Sequence, residues 1–470
     1  MTRFAYHRLT VAAPRGVTAA ALRSITAAAL RSITATAVRR LAATVIVLIA
    51  AAQWAAAGSG GSTYSLLGLG DIRYTPGARA EGMGDAGLAL FSAQYINGLS
   101  PATWSRLDRV RLEGSAFYEG FNSTDGLTSR YLARMDFHGA LMAIPVSRVS
   151  GIVVVAGFLP YSEVNYDTYT SAVVPSEGVD PVTGQRDSLG YLIHQTGTGG
   201  ITRGEIGLSW APTKDLSFGA SFNYLFGTIN HAAQQLPGTS GTSGATITDK
   251  NALSGVDFTL GAVFTGLGSI SRALSQFSVG GMITTRTNLH TSHLTTYEFA
   301  PLPVPSDVLR DTSVETTGRI AVPVAYGVGI GYQPDNRWTI AADYSAQPWG
   351  QADFYGAAPY GIRNSWRMGV GAERAGSTEM SARSFERWSY RLGFTYAATY
   401  YAVNGQKINE WGVTAGVALP LTGESRVNVA ATYGGRGTIA GSLVKDKIFR
   451  LTVSLHISDV FPWFVQTEEE

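Results

Sequence analysis

Phe449-Arg450-Leu451-Thr452-Val453-Ser454-Leu455-His456-Ile457 alternates without a break between large apolar side chains and polar ones. A period of two puts the two sets on opposite faces of a β-strand. The pattern recurs back to Arg109. Leu216, Phe218, Ala220, Phe222, Tyr224 and Phe226 interleave with Ser217, Gly219, Ser221 and Asn223. Trp338, Ile340, Ala342 and Tyr344 interleave with Thr339, Ala341, Asp343 and Ser345, and Tyr390, Leu392, Phe394 and Tyr396 with Arg391, Gly393, Thr395 and Ala397. Strands greasy on one face and small or charged on the other suit a wall with lipid outside and water or packed protein inside. The expected fold is all-β, a transmembrane antiparallel β-barrel.

Composition agrees. Charged residues make up 15% of the chain, against the roughly 25% usual in soluble domains. Mean hydropathy of +0.06 excludes a helical membrane bundle, whereas a barrel hides from hydropathy because half of each strand avoids lipid. Arg3, Arg8, Arg15, Arg23, Arg31, Arg39 and Arg40 precede the first acidic residue, Asp71. Without these seven, 29 basic side chains face 34 acidic ones, a net charge of −5. The basic balance therefore belongs to the leader, and no nucleic-acid partner follows from it. The absence of cysteine is compatible with an oxidising compartment, because a closed ladder needs no disulfides.

Leu41–Ala52 is a short apolar core behind Arg39 and Arg40, followed by Ala55-Ala56-Ala57. This reads as a secretory signal peptide ending at Ala57, with an extended basic n-region. That region repeats TAAALRSI at Thr18–Ile25 and Thr26–Ile33, open to reading as an amphipathic address or as a misplaced start. Gly58–Asp108 does not alternate, yet its Leu66, Leu67, Leu69, Ile72, Leu88, Leu90 and Phe91 require burial, which a plug inside the barrel supplies. The expected organisation is 1–57 signal peptide, 58–108 hatch, 109–457 barrel and 458–470 periplasmic tail.

Fourteen strands are expected, near 109–121, 130–146, 149–161, 199–211, 214–230, 252–265, 276–289, 321–333, 336–346, 362–374, 386–400, 408–420, 425–435 and 444–457. Connections after even-numbered strands are tight, as at Ser147-Arg148, Pro212-Thr213, Pro334-Asp335 and Leu421–Glu424. Those after odd-numbered strands are longer, including 162–198, 231–251, 290–320 and 347–361, and read as solvated loops. Sorting of short and long connections to opposite rims is the asymmetry of bacterial outer-membrane barrels, with both mature termini in the periplasm. Aromatic girdles are expected from Trp210, Tyr332, Trp338, Tyr344, Trp366, Trp411 and Tyr433, although aromatic residues also favour strands generally. Glu205, Asp257, Asp343, Arg367, Arg391 and Arg450 fall at inward positions. They read as a paired network bracing the wall or gripping the plug, or as the lining of a transport path.

The block Gly68–Asp108 resembles the start of FadL-type outer-membrane transporters, and more closely the FadL-like barrels of Bacteroidetes and related phyla. Ala78-Arg79 and Met83-Gly84-Asp85-Ala86-Gly87 match the family's hatch motif; Ser100-Pro101-Ala102 stands where the family has Asn-Pro-Ala. The C-terminal block Ile408–Phe464, ending in Trp463-Phe464, is also similar to those barrels. The resemblance thus names Arg79, Met83, Gly84, Gly87, Pro101 and Ala102 as hatch-motif residues. It implies fourteen strands around an N-terminal hatch and inward passage of long-chain fatty acids or other hydrophobic compounds. It also implies an inward kink in the third strand that opens the wall sideways. Gly157 and Pro160 are the candidates for that kink, because both weaken strand pairing; alternatively, Pro160 ends the strand at the rim.

Gly82–Gly87 spells G-x-G-x-x-G, but no strand precedes it and no βαβ unit follows, so no dinucleotide site is expected. His290 and His293 fall in an outer connection, and His194 and His231 near acidic residues carry no hydrolase motif. No enzyme activity, cofactor or metal site is expected. The expected partners are outer-membrane lipid, a hydrophobic small molecule and, during biogenesis, the barrel-assembly machinery; oligomeric state stays open. The expected function is hatch-gated passive uptake of a hydrophobic small molecule. The alternative is a non-transporting barrel serving as an accessory scaffold in secretion or surface attachment, which would carry large ordered extensions.

Overall fold

A computed structural model describes residues 58–458 except 75–76, 180–185, 238–243, 301–311, 380 and 422. The expected signal peptide and the tail beyond Ser458 lie outside the described residues. The strands are β1 Arg111–Thr124, β2 Ser129–Ser147, β3 Ile152–Val179, β4 Arg186–Trp210, β5 Leu216–Pro237 and β6 Gly244–Phe264. β7 comprises Phe277–Thr284 and Thr287–Ala300, and β8 comprises Thr312–Val322 and Ala325–Tyr332. β9 Trp338–Gln347, β10 Ser365–Arg374, β11 Ser389–Val403, β12 Gln406–Pro420, β13 Arg426–Gly437 and β14 Lys445–Ser458 complete the wall. Each strand pairs antiparallel with its sequence neighbours. β14 closes on β1 from Lys445–Thr124 to Ser458–Arg111, giving a closed fourteen-strand barrel.

The wall inverts the burial of a soluble protein. On β5, Phe218, Phe222, Tyr224 and Phe226 are exposed, whereas Ser217, Ser221 and Asn223 are buried. The same holds for Ile330, Val370, Leu392, Val413 and Phe449, which form a continuous outward apolar belt. Such a belt is stable only against lipid. Paired aromatics stand in two groups. Trp210–Phe218 and Phe277–Tyr332 lie toward the short-turn rim, and Tyr344–Trp366 and Trp411–Tyr433 toward the opposite side. A charge placed between them should be costly. Val370→Arg is expected to destabilise the bilayer-inserted barrel by about 2–4 kcal/mol, read as a lowered urea midpoint, whereas Val279→Arg, outward near the short-turn rim, should cost far less.

The connections expected as long loops at 162–198, 231–251 and 290–320 are largely strand. The β3–β4 ladder runs up to Val179–Arg186, β5–β6 to Gln235–Ala245, and β7–β8 to Tyr297–Thr312. Six strands therefore rise as a crest, about 40 Å along β3 beyond Tyr166, while β9–β14 stay short. Water lies on both sides of the crest, so nothing there selects an apolar face and the alternation fades.

Candidate functional site

The segment Gly58–Leu107 fills the lumen and contains a five-residue helix, α1, at Ala78–Gly82. Its hold on the wall is both steric and ionic. A Cβ on Gly371 would lie 2.1 Å from the Met83 carbonyl oxygen, and one on Gly393 would lie 2.2 Å from the Gly84 amide. On the other side, a Cβ on Gly219 would lie 2.2 Å from the Pro101 carbonyl carbon. Inward glycines thus form a floor on which the hatch backbone lies flat; they do not leave room beside it. Gly84 itself has φ +63°, a turn that suits glycine. Gly371→Val should lift this segment from the wall, exposing the hatch to limited proteolysis while the barrel still resists SDS at room temperature.

Polar contacts fix the remaining motif residues. Arg79 pairs with Glu373 at 2.9 Å, and Arg391 reaches Glu373 at 3.2 Å, Asn428 at 2.8 Å and the Tyr95 hydroxyl at 3.2 Å. The amides of Gly87 and Leu88 both donate to one Asp343 oxygen, at 2.6 and 2.8 Å. Met83 is buried with Ala86, Leu90 and Ala341. Pro101 opens a 3-10 turn, and the Ala102 carbonyl accepts from Ser217 at 2.6 Å. Arg367 pairs with Asp85 and lies over Tyr74. Arg450 binds Glu119 and approaches Glu81 at 3.8 Å. Glu205 and Asp257 stay within the wall, with Arg203 at 3.5 Å and Asn223 at 2.7 Å respectively. Asn97 was not singled out in the sequence. Its amide donates to the Gly87 carbonyl at 2.7 Å, and its own carbonyl accepts from buried Trp104 at 2.7 Å. An Asn-Gly pair between two motif blocks was the available signal.

The wall is interrupted at one level. β2 and β3 pair from Ser147–Ile152 only to Ala140–Phe158. β3 continues with β4, through a bulge between Pro160 and Ser162, to Val179. Gly157 and Pro160 thus flank the end of the β2–β3 ladder, well below the end of β3. β2 carries a matching irregularity: Gly139 pairs with Ser115 and Phe137 with Ala116, so His138 is the extra residue, and Gly139 has φ +120°. Bulges at one height in both strands turn their edges apart.

The hatch fills the resulting seam. Gly58–Ser59 pairs in parallel with Leu132–Ala133 of β2, and Asp71–Ile72 pairs antiparallel with Ser162–Glu163 of β3. The Gly61 amide donates to the Asn165 carbonyl at 3.0 Å, and that of Arg73 to the Tyr161 carbonyl at 2.9 Å. An ion network crosses the same gap. Arg134 of β2 binds Glu163 of β3, while Arg73 of the hatch reaches Glu163 at 2.9 Å and Glu119 of β1 at 3.0 Å.

Behind the seam, Tyr64, Leu69, Tyr166, Trp349, Tyr400 and Tyr401 belong to one buried apolar cluster. Trp349 comes from the inturned chain after β9 and meets Tyr400 at 4.8 Å between ring centres. Nearer the charged layer, Asp71, Arg73, Asp85, Arg367, Glu410 and Arg450 border a cavity of about 80 Å³.

Fold and site together define a transmembrane β-barrel with an internal hatch and a hatch-sealed gap in its wall. The chain belongs to the BamG family, whose model matches residues 37–468. Solved structures share the fold at low identity. The CymD monoaromatic hydrocarbon channel is 14% identical with a TM-score of 0.53, covering 82% of this chain and 97% of its own. The toluene transporter TbuX of Ralstonia pickettii is 16% identical with a TM-score of 0.53, covering 82% and 98%. A FadL homologue of Pseudomonas aeruginosa is 13% identical with a TM-score of 0.54, covering 82% and 99%. The expected FadL-like architecture is therefore present. No curated protein matches the chain in sequence.

Proposed function

We propose that this protein sits in the bacterial outer membrane, termini in the periplasm, and admits a hydrophobic small molecule passively. Long-chain fatty acids and hydrocarbons are the substrate classes, and the hatch is the gate. The observation that carries this reading is the seam above Ala140–Phe158, closed by hatch residues and backed by an aromatic cluster. A solute arriving from the lipid side meets exposed Phe137 of β2 and Phe158 of β3 at the edges of that gap, and the ion pairs across it part with the hatch before the solute reaches the aromatic cluster. Each methylene leaving water gains about 0.8 kcal/mol, so transfer of a greasy solute to that cluster needs no energy source. That the CymD monoaromatic hydrocarbon channel and the toluene transporter TbuX share this fold supports the same class. The test is entry of radiolabelled oleate or toluene into cells with and without the protein; equal rates sink the proposal.

The crest favours a second reading, the accessory scaffold. It is the large ordered extension that a scaffold requires. Moreover, Thr312–Gly318 of β8 pairs with β7 on one side only among the described residues. Shortening the β7–β8 hairpin separates the two: a transporter keeps its uptake, whereas a scaffold loses a crosslinked partner.

A further inference from the structure

A cleft of about 490 Å³ opens at the short-turn rim, between the β2–β3 turn, the β4–β5 turn and the end of the hatch. Three cationic side chains surround it: Arg106 from the hatch, Arg148 from the first turn and Lys214 from the second. Arg106 is preset. Its guanidinium lies 4.0 Å over the Phe91 ring and donates to the Thr265 hydroxyl at 3.2 Å and the Lys214 carbonyl at 3.4 Å. Arg148 and Lys214 have no side-chain partner among the described residues. Asp215 is the acidic group close enough to attract Arg106. Inside the barrel, by contrast, Arg73, Arg79, Arg134, Arg391, Arg436 and Arg450 are each paired with a carboxylate, and the chain from Asp71 onward is net acidic. Three cations gathered on one cleft, two of them unpaired, point to an anionic ligand.

The surroundings identify which anion. Val149 is 86% exposed at the tip of the first turn, and Val146 beside it is 55% exposed. Trp210 and Phe218 stack outward on the adjoining strands, marking the membrane–water boundary at this height. The cleft thus offers cations at headgroup level with apolar side chains continuing into the acyl region, where each basic residue attracts anionic lipid. We propose that this cleft binds the phosphodiester of an anionic glycerophospholipid. Arg106 holds it from the hatch side, and Arg148 and Lys214 hold it from the turns. Because Phe91, Ser105 and Arg106 belong to the hatch, the bound headgroup also staples the hatch end to the wall. The site is independent of whether the barrel transports.

Native mass spectrometry of the full-length mature protein, with phosphatidylglycerol or phosphatidylethanolamine added in equal amounts, tests the proposal. Wild type should retain one phosphatidylglycerol adduct in preference to phosphatidylethanolamine, whose ammonium the cations repel. Arg148→Gln/Lys214→Gln should weaken that adduct about tenfold or more, while its heat-modifiable gel mobility stays normal because both residues are exposed turn positions. Arg272→Gln, on a different turn, should leave the adduct intact. Equal binding of both lipids, an unchanged double variant, or equal loss in Arg272→Gln would each overturn the proposal. Displacement by millimolar inorganic phosphate, or preference for an acidic peptide over phosphatidylglycerol, would overturn the lipid assignment.

Discussion

Oxidising a Ser59→Cys/Ala133→Cys pair should lower uptake of a hydrophobic solute about tenfold or more, with recovery on reduction, because gating motions limit passage through closed sites. Ser59 of the hatch and Ala133 of β2 are ladder partners. Neighbouring strands stand about 4.8 Å apart, inside the range of roughly 4.4–6.8 Å that a disulfide spans between Cα atoms. The native chain has no cysteine, so the engineered pair has no competing thiol. Two short pairings, a few isolated hydrogen bonds worth about 0.5–1.5 kcal/mol net each, and the ion pairs of Arg73 hold the hatch in the seam. They can open on the timescale of transport; a covalent bond cannot. A Val429→Cys/Val453→Cys pair bridges β13 and β14 inside the continuous wall and should leave uptake unchanged. Persistence of uptake with the seam locked would exclude the lateral path.

Strand positions were legible in the sequence wherever a strand separates lipid from lumen. Phe449–Ile457 and Leu216–Phe226 alternate because one face meets hydrocarbon and the other meets water or hatch. The same strands were illegible above the membrane: Thr168–Pro175 pairs with Ser188–Gln195 without a register shift, but water on both faces removes the period. Inward charges could be placed by parity alone, so Arg391 and Arg450 were found. Their partners could not be, because Glu373 faces Arg391 only in the register of β10 with β11, and Glu119 faces Arg450 only once β14 closes on β1. The role of Gly371 and Gly393 could not be read from the sequence, for a physical reason. A missing side chain leaves the same trace in sequence whether it makes a void or admits another backbone. Pro160 and Gly157 signalled weakened pairing, but that the hatch takes up the freed strand edges required the register.

Glu119→Gln should destabilise the barrel by about 3–5 kcal/mol, the cost of stripping the partner from buried charges. The Glu119 side chain is 1% exposed and touches Arg73, Arg134 and Arg450, so it bonds a hatch residue, a β2 residue and a β14 residue at once. The amide keeps the shape of the carboxylate but removes its charge. Glu163 remains to Arg73 and Arg134, and Glu81 to Arg450, so the lower end of that range is expected. Arg130–Asp167 is the contrasting pair, at 3.1 Å with Arg130 47% exposed; Arg130→Gln should cost under about 1 kcal/mol. Urea midpoints in lipid vesicles compare the two. Since Arg73 belongs to the hatch, Glu119→Gln should also speed proteolysis of Gly58–Arg73 before the barrel unfolds, which Arg130→Gln should not do. Partial recovery in Glu119→Gln/Arg450→Met would show that the excess buried positive charge is the cause. Equal midpoints for Glu119→Gln and Arg130→Gln would mean that the glycine floor, and not the ion network, holds the hatch in the lumen.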